Sequence, residues 1–163
     1  MAHISAELNS AFNEHLGREF ASSHQYINMA AYFDDRALGK LAKMFFTQAE
    51  EEREHGMKFI RYLNDVGGSV QIPAIEAPQH TFQSVEEVAQ LALKWEMDIT
   101  ARINKLLETA ISQKDYAAQE FLKWFVTEQI EEVRTMEDLL KVVQVAGERS
   151  IIMVEAYLVH NDL

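Results

Sequence analysis

The sequence contains no cysteine, and only two prolines and six glycines among its 163 residues. The absence of cysteine excludes disulfide bonds, thiolate catalysis, and zinc or iron–sulfur sites bound by cysteine. No apolar run is long enough to span a membrane, and the first residues lack the basic and apolar segments of a signal peptide. We therefore expect a cytoplasmic location and no membrane partner. The net charge of −11 argues against a nucleic-acid partner and favours attraction of cations.

Four long stretches of the chain show helical periodicity, with apolar residues recurring every three or four positions. This pattern predicts an all-α fold, with a four-helix bundle over about residues 5–146 in a single domain of residues 1–163. The residues expected to cap the first, third and fourth helices are Ser5, Ser84 and Asp115. The segment Ser84–Glu87 has the form of a capping box. A short apolar segment over residues 148–160 predicts a fifth helix, which needs a surface to pack on.

The links between the helices predict how the helices are arranged. The links near residues 35–38 and 112–115 are short, so each should join antiparallel neighbours. The link over residues 68–83 contains both prolines and has no helical period. When extended it can reach about 50 Å, which exceeds the roughly 45 Å length of a 30-residue helix. We therefore expect one long crossover that makes the second and third helices parallel.

In every helix, polar residues interrupt the apolar stripe near its middle. The stripe that passes through Leu16 in the first helix continues at Glu19, and the other three helices repeat this feature. The polar residues on these stripes are Glu19, Glu52, His55, Glu96, Gln129 and Glu132. A single glutamate is ordinarily solvent-exposed, but residues at the middle of packed helices lie at the same level. We therefore expect these six side chains to converge at the centre of the bundle.

Such a cluster predicts a metal centre. Buried carboxylates without a cation would each cost on the order of several kcal/mol or be forced to protonate. An oxygen-rich ligand set with one imidazole suits iron(II) or manganese, with zinc as a competitor. A Glu from each of two helices and Glu-x-x-His from the other two is the di-iron carboxylate pattern. Here Glu52 and His55 supply one such motif, whereas Gln129–Glu132 supplies Gln-x-x-Glu instead of the second.

Three segments of the chain resemble those of the bacterial non-haem ferritins, the ferroxidase type of the ferritin family. These segments are Glu19–Tyr26, Glu51–His55 and Trp124–Glu132. The resemblance covers nearly the whole chain and implies a ferritin-like four-helix bundle with one long crossover and a short fifth C-terminal helix. It also implies a ferroxidase that oxidises iron(II) to iron(III) with O2 or H2O2. The ferric mineral would be stored inside a hollow homo-oligomeric cage of twenty-four subunits.

The same resemblance implies a role for each central residue. Glu52 would bridge two irons, and Glu19 and His55 would complete the first iron site. The second site would consist of Glu96 and Glu132, with Gln129 beside it.

The resemblance assigns further residues to the surroundings of the di-iron centre. Tyr26 would lie beside the centre as an electron donor, and Trp124 occupies a similar neighbourhood. Both aromatic residues also fit ordinary core packing at helical spacing. A third, neighbouring iron site would consist of Glu51, Glu128 and Glu131.

This sequence differs from two related kinds of protein, and the differences argue against assigning it to either of them. Arg53 follows the bridging glutamate, where haem-containing bacterioferritin would have a methionine, so no haem is expected. The small DNA-protecting relatives lack the last helix and place their metal ligands between subunits. The predicted fifth helix and a ligand set within one chain therefore argue against assigning this sequence to them. Two alternatives remain open. One is a di-metal oxygenase, peroxidase or manganese catalase on the same bundle, and the other is a cage with a degraded centre.

Overall fold

The computed structural model describes residues 4–160, which form five α-helices, one 3₁₀ turn and no strand. The α-helices are α1 (Ala6–Asp34), α2 (Gly39–Asp65), α3 (Val85–Ser112), α4 (Tyr116–Ala146) and α5 (Ile152–His160). The 3₁₀ turn, Glu148–Ser150, precedes α5. The predicted domain also includes residues 1–3 and 161–163, which lie outside the described residues. Within the described range, no helix combines the length and apolarity that crossing a membrane requires.

The predicted cap residues begin their helices. The side chains of Ser5 and Asp115 accept backbone N–H groups from the first turns of α1 and α4. Ser84 likewise accepts from the backbone N–H of Glu87 at 3.0 Å. The predicted capping box is only half formed, because the Glu87 carboxylate accepts from the backbone N–H of Gln83 rather than from that of Ser84.

Buried side-chain amides tie the crossover to α1. Asn13 donates to the carbonyl of Ser69 and accepts from the N–H of Gln71. Farther along α1, Gln25 donates to the carbonyl of Gln79 and accepts from its N–H. The crossover, which has neither helix nor strand over residues 68–83, therefore runs beside α1 and in the same direction.

The end of α3 returns to the start of α1. There the Ser5 hydroxyl donates to the side-chain oxygen of Gln113, whose amide donates to Glu7. Hence α3 is antiparallel to α1 and parallel to α2, as the length of the crossover predicted. The crossover approaches α1 so closely that a Cβ atom at Gly17 would lie 2.2 Å from Cγ of Pro73, so this position requires glycine.

The buried apolar residues form two clusters, one toward each end of the bundle. The first cluster includes Phe33, Leu41, Phe45, Val88, Met136 and Val143. The second includes Leu8, Phe12, Phe59, Ile103, Leu122 and Phe125. Along each long helix, the polar residues that interrupt the apolar stripe lie between the parts that contribute to the two clusters; they are Glu19, Glu52, His55, Glu96, Gln129 and Glu132. The bundle core is therefore interrupted by a polar layer.

The predicted fifth helix packs on the end of the bundle where α2 begins. Val154 and Leu158 of α5 are buried in the first apolar cluster. The Glu155 carboxylate accepts the backbone N–H groups of Lys40 and Leu41, both at 2.8 Å. Because the N-cap residue of α2 makes no side-chain capping bond of its own, α5 supplies the cap from more than a hundred residues away.

Replacing Glu155 with Ala should expose these two amide groups and loosen both helices. The expected loss is about 0.5–2 kcal/mol, the usual effect of removing an N-cap side chain. Hydrogen exchange should accelerate at Lys40, Leu41 and across α5. Glu108→Ala, which removes an exposed carboxylate of α3, is the matched control. Equal exchange in the two variants would contradict the capping role.

Candidate metal centre

The six polar residues that interrupt the apolar stripes are all buried, and every helix of the bundle contributes at least one of them. Their exposed fractions are 0% for Glu19, 1% for Glu52, 1% for Glu96, 4% for Gln129, 5% for His55 and 7% for Glu132. Helical geometry explains this placement, because residues three or four positions apart share one face. The interior of this bundle therefore contains four carboxyl groups.

Glu19, Glu52 and His55 form the most compact part of the cluster. One ligand atom from each lies within 4.8 Å of the others, a spacing that can hold a metal ion. The Oε2 atoms of Glu19 and Glu52 are buried and lack a hydrogen-bond partner. A buried carboxylate oxygen without a partner is costly. The donor set and its two unpartnered oxygens thus fit a divalent cation.

His55 also belongs to a second group, with Glu128 and Glu132, in which one ligand atom from each again lies within 4.8 Å of the others. Glu132 is buried and Glu128 is half-buried. A cavity of about 330 Å³ lies against this group, and its lining includes Glu51, Glu128, Glu131 and Glu132. The three residues of the predicted third site therefore share a cavity with a residue of the predicted second site.

Glu96 lies outside both of these groups, and its carboxylate is held by neutral donors. The Tyr26 hydroxyl donates to Oε1 of Glu96, and Nε2 of Gln129 lies 3.2 Å from its Oε2. Burial, followed by the charges of Glu52 and Glu132, raises the pKa of Glu96 well above its ordinary value. Gln129 therefore contacts a ligand candidate directly, although it carries no charge.

Two residues that support the carboxylates were not predicted. Nε2 of His15 lies 2.8 Å from Oε1 of Glu19, and Nε2 of Gln48 lies 3.2 Å from Oε1 of Glu52. Gln48 also donates to Oε2 of Glu132, at 2.7 Å. Each supporting residue stands four positions before a glutamate on the same helix, so this spacing could have identified both of them.

His15 acts as a neutral donor. Burial and the nearby charge of Arg102 lower the pKa of its imidazole to about 3. Near neutral pH the ring therefore carries one proton, and Nε2 must hold it to bond an ionised Glu19. The centre thus gains a hydrogen bond without an additional positive charge.

The central side chains bind protons more tightly than usual when no cation is present. Burial and the nearby Glu19 raise the pKa of Glu52 to about 7. Burial and the charge of Glu52 raise that of Glu132 to about 8. Burial disfavours the charged form of His55, but the Glu52 carboxylate, whose Oε2 lies 3.9 Å from Nδ1 of His55, and the other carboxylates nearby raise the pKa of His55 to about 9. A cation that binds here must displace these protons.

Two aromatic residues flank the centre in different ways. Tyr26 is 1% exposed, and its ring packs 5.6 Å from that of Phe45. Trp124 is 39% exposed, and its ring centre lies 5.5 Å from that of His55. Nζ of Lys58 lies 3.3 Å from the centre of the Trp124 ring. Tyr26 thus contacts a carboxylate of the centre, whereas Trp124 contacts the outer side of its imidazole.

Comparison with known proteins identifies bacterial ferritins as relatives of this chain. A bacterial non-heme ferritin of Staphylococcus haemolyticus is 40% identical over 134 residues, which are 82% of this chain and 81% of that protein. A bacterial non-heme ferritin of Staphylococcus aureus is 40% identical over 129 residues, or 79% of this chain and 78% of the relative.

Solved structures give the same result. An open-pore ferritin from the hyperthermophilic archaeon Archaeoglobus fulgidus superimposes with a TM-score of 0.93 at 32% identity, covering 97% of this chain and 98% of that chain. A humanized archaeal ferritin gives a TM-score of 0.92 at 30% identity, covering 95% of each chain. The ferritin-like fold predicted from the sequence is thereby confirmed. The family model of the ferritin-like domain matches residues 9–145, and the chain belongs to the ferritin family.

Proposed function

We propose that this ferritin stores iron and that each chain oxidises iron(II) to iron(III) at a di-iron centre in the bundle. The observation that carries the proposal is the pair of unpartnered oxygens, Oε2 of Glu19 and Oε2 of Glu52, beside His55 in a buried site. Oxygen ligands with one imidazole suit iron(II). Iron is the substrate of this site and also the cargo of the protein.

The chemistry follows from the charge of the ligands. Carboxylates place negative charge around the metal, so they stabilise iron(III) more than iron(II). Two irons each give up one electron, and two electrons reduce O2 to H2O2 or H2O2 to water. Glu52 would bridge the irons, Glu19 and His55 would complete the first site, and Glu96 and Glu132 would form the second.

Storage also requires iron(III) to leave the centre. Gln129 is neutral where a carboxylate would hold the second iron more tightly, and its amide bonds to Glu96 instead. Glu132 borders the cavity that Glu51, Glu128 and Glu131 line. These three glutamates would hold iron in a third site beside the centre. Tyr26, bonded to Glu96, is placed to donate an electron to the centre.

We propose further that twenty-four copies of the chain assemble into a cage. The oxidant of iron(II) is O2 or H2O2. Large apolar side chains that are exposed on one chain support association, because a partner chain would remove their apolar surface from water. Examples on α4 and α5 are Ile130, Val145, Ile152 and Met153. The absence of haem and the cytoplasmic location remain predictions.

Replacing Glu52 with Ala should abolish fast iron(II) oxidation and leave the fold intact, because the substitution removes the bridging ligand. Groups that only support metal ligands already contribute about 10- to 100-fold, so the rate measured by stopped flow should fall at least about 100-fold. Circular dichroism checks the fold. Glu50→Ala, an exposed neighbour, should oxidise iron normally. An oxidation rate of the Glu52→Ala variant equal to that of the unmodified chain would contradict the assignment of Glu52 as the bridging ligand.

The metal-free protein should lose stability as pH rises from 6.5 to 9. His55 holds a proton in the folded state up to about pH 9, and Glu52 and Glu132 hold theirs up to about 7 and 8. The unfolded groups lose their protons at the ordinary values of 6.5 and 4.5. Rising pH therefore favours unfolding, by on the order of a few kcal/mol. His15 opposes this trend only slightly, since its folded pKa is about 3 and the ring in the unfolded chain, with an ordinary pKa of 6.5, is already half neutral at the start of the range.

Denaturant unfolding of chelator-treated protein at the two pH values measures this loss. Glu132→Gln should reduce the slope, because it removes one of the titrating groups. Saturating zinc(II) should remove the decline, since the cation replaces the protons. A metal-free protein whose stability increases over this range would contradict the proton assignment.

The assembled particle should have a mass of about 450 kDa, twenty-four times the 18.7 kDa of one chain. Light scattering at micromolar concentration measures the mass, and aerobic iron(II) addition followed by iron counting measures the cargo. Thousands of irons per particle indicate storage, whereas a constant pair of metals per chain indicates a di-metal enzyme of another class. A monomer or dimer would overturn the cage.

A further inference from the structure

Each of the two tryptophans in the chain has a cation over its indole ring. Nζ of Lys58 lies 3.3 Å from the centre of the Trp124 ring. The guanidinium carbon of Arg18 lies 3.5 Å from the centre of the Trp95 ring. The face of an indole carries partial negative charge and attracts cations, so both contacts are cation–π pairs.

The pair of Lys58 and Trp124 lies beside the predicted di-iron centre. Lys58 stands three positions after His55 on α2, and Trp124 belongs to α4. The Trp124 ring is 39% exposed, and it meets the His55 ring in an edge-on contact with 5.5 Å between the ring centres. The same indole therefore contacts a predicted iron ligand and an ammonium group.

The ammonium group makes this indole harder to oxidise. An indole that loses one electron becomes a radical cation, so the attraction between ring and ammonium turns into repulsion between two positive charges. Lysine is ordinarily charged at neutral pH. Burial lowers the pKa of Lys58, but the nearby charge of Glu128 favours its ammonium form. Lys58 therefore raises the free energy needed to remove an electron from Trp124.

Tyr26 contacts the centre in a different electrostatic setting. Its hydroxyl donates to the carboxylate of Glu96, and its ring packs against that of Phe45. A phenol that loses a hydrogen atom becomes a neutral radical, so its oxidation creates no positive charge. Oxidation of Tyr26 is therefore not opposed in the way that oxidation of Trp124 is.

A one-electron oxidant arises when H2O2 takes a single electron from one iron(II). The products are iron(III), hydroxide and a hydroxyl radical. The hydroxyl radical becomes hydroxide if it takes an electron from the indole of Trp124, which is left as a radical cation. It becomes water if it takes a hydrogen atom from the hydroxyl of Tyr26, which is left as a neutral radical. The two side chains are thus alternative donors to the same oxidant.

Resting on the proposed function, we propose that Lys58 protects Trp124 from one-electron oxidation, so that Tyr26 is oxidised instead. Lys58 touches neither iron nor oxidant in this role. Its charge determines which of the two side chains loses an electron. The protection also preserves the indole that packs against the imidazole of His55.

Lys58→Leu tests the proposal, because leucine is uncharged, resists oxidation and can still pack on the ring. Azide radicals, formed by pulse radiolysis around the iron-free protein, serve as the first oxidant. Each is neutral and becomes an azide ion when it takes one electron from an indole. Peptide mass spectrometry measures the oxidised fraction of Trp124, with Trp95 as the internal standard. Oxidation of Trp124 should rise about 2- to 5-fold, the factor that matches the usual strength of an exposed cation–π pair.

Lys58→Arg and Lys123→Leu are the controls. Arginine restores a cation that can stack on the ring, so oxidation of Trp124 should return toward that of the unmodified chain. Lys123 precedes Trp124 on α4, but its ammonium donates to the carboxylate of Glu120 at 2.7 Å. Lys123→Leu should leave the oxidation of Trp124 unchanged, which excludes a general effect of net charge. Equal oxidation of Trp124 in Lys58→Leu and Lys58→Arg would overturn the protective role of the charge.

Iron(II) with H2O2 serves as the second oxidant, and electron paramagnetic resonance identifies the radicals. The unmodified chain should form a tyrosyl radical that Tyr26→Phe abolishes. Lys58→Leu should form a tryptophanyl radical in addition, and mass spectrometry should again find more oxidised Trp124.

The outcomes separate this inference from the function on which it rests. If the unmodified chain oxidises no iron(II), the proposed function fails, and the azide radicals still test the protection of Trp124. If the unmodified chain oxidises iron(II), and Lys58→Leu then oxidises Trp124 no more than the unmodified chain does, only the role of Lys58 is overturned.

Discussion

The burial of four carboxyl groups inside an apolar bundle is the constraint on which the site depends. Ionised carboxylates lose their hydration there, and their mutual repulsion adds to that loss. The chain compensates part of this loss with uncharged donors, which bond at least one oxygen of each carboxyl group. These donors are His15, Tyr26, Gln48 and Gln129. The remaining charge must be neutralised by protons or by cations, and this need is why the centre could hold metal ions.

Sequence reasoning predicted the parts of the structure that helical periodicity determines. Glu19, Glu52 and Glu96 could be placed at the centre because position along a helix fixes both the face and the level of a side chain. Other features depend on contacts between distant segments or on side-chain rotamers. The cap that Glu155 supplies to α2 joins residues more than a hundred positions apart, and no local pattern indicates it. The half-formed capping box at Ser84 depends on which N–H group a flexible carboxylate reaches.

Supporting residues were harder to predict than ligands for a chemical reason. A buried glutamate needs a special explanation, whereas a buried glutamine or histidine on a helix has many ordinary ones. Gln48 differs from such residues only in its contacts, since its amide reaches carboxylates on both its own helix and α4. The sharing of Glu132 between the central group and the cavity also depends on the distance between α2 and α4, which the sequence alone does not specify.

The separation of the two apolar clusters affects how the folded chain fluctuates. Each cluster, with the helix halves around it, can behave as a cooperative unit that opens on its own, because the layer between them contributes little hydrophobic stabilisation. Ions held by residues of all four helices would couple the two units, so that both open only together. Binding of iron would then change the pattern of partial unfolding as well as the total stability. The iron-free protein would be more susceptible to proteolysis at one end of the bundle.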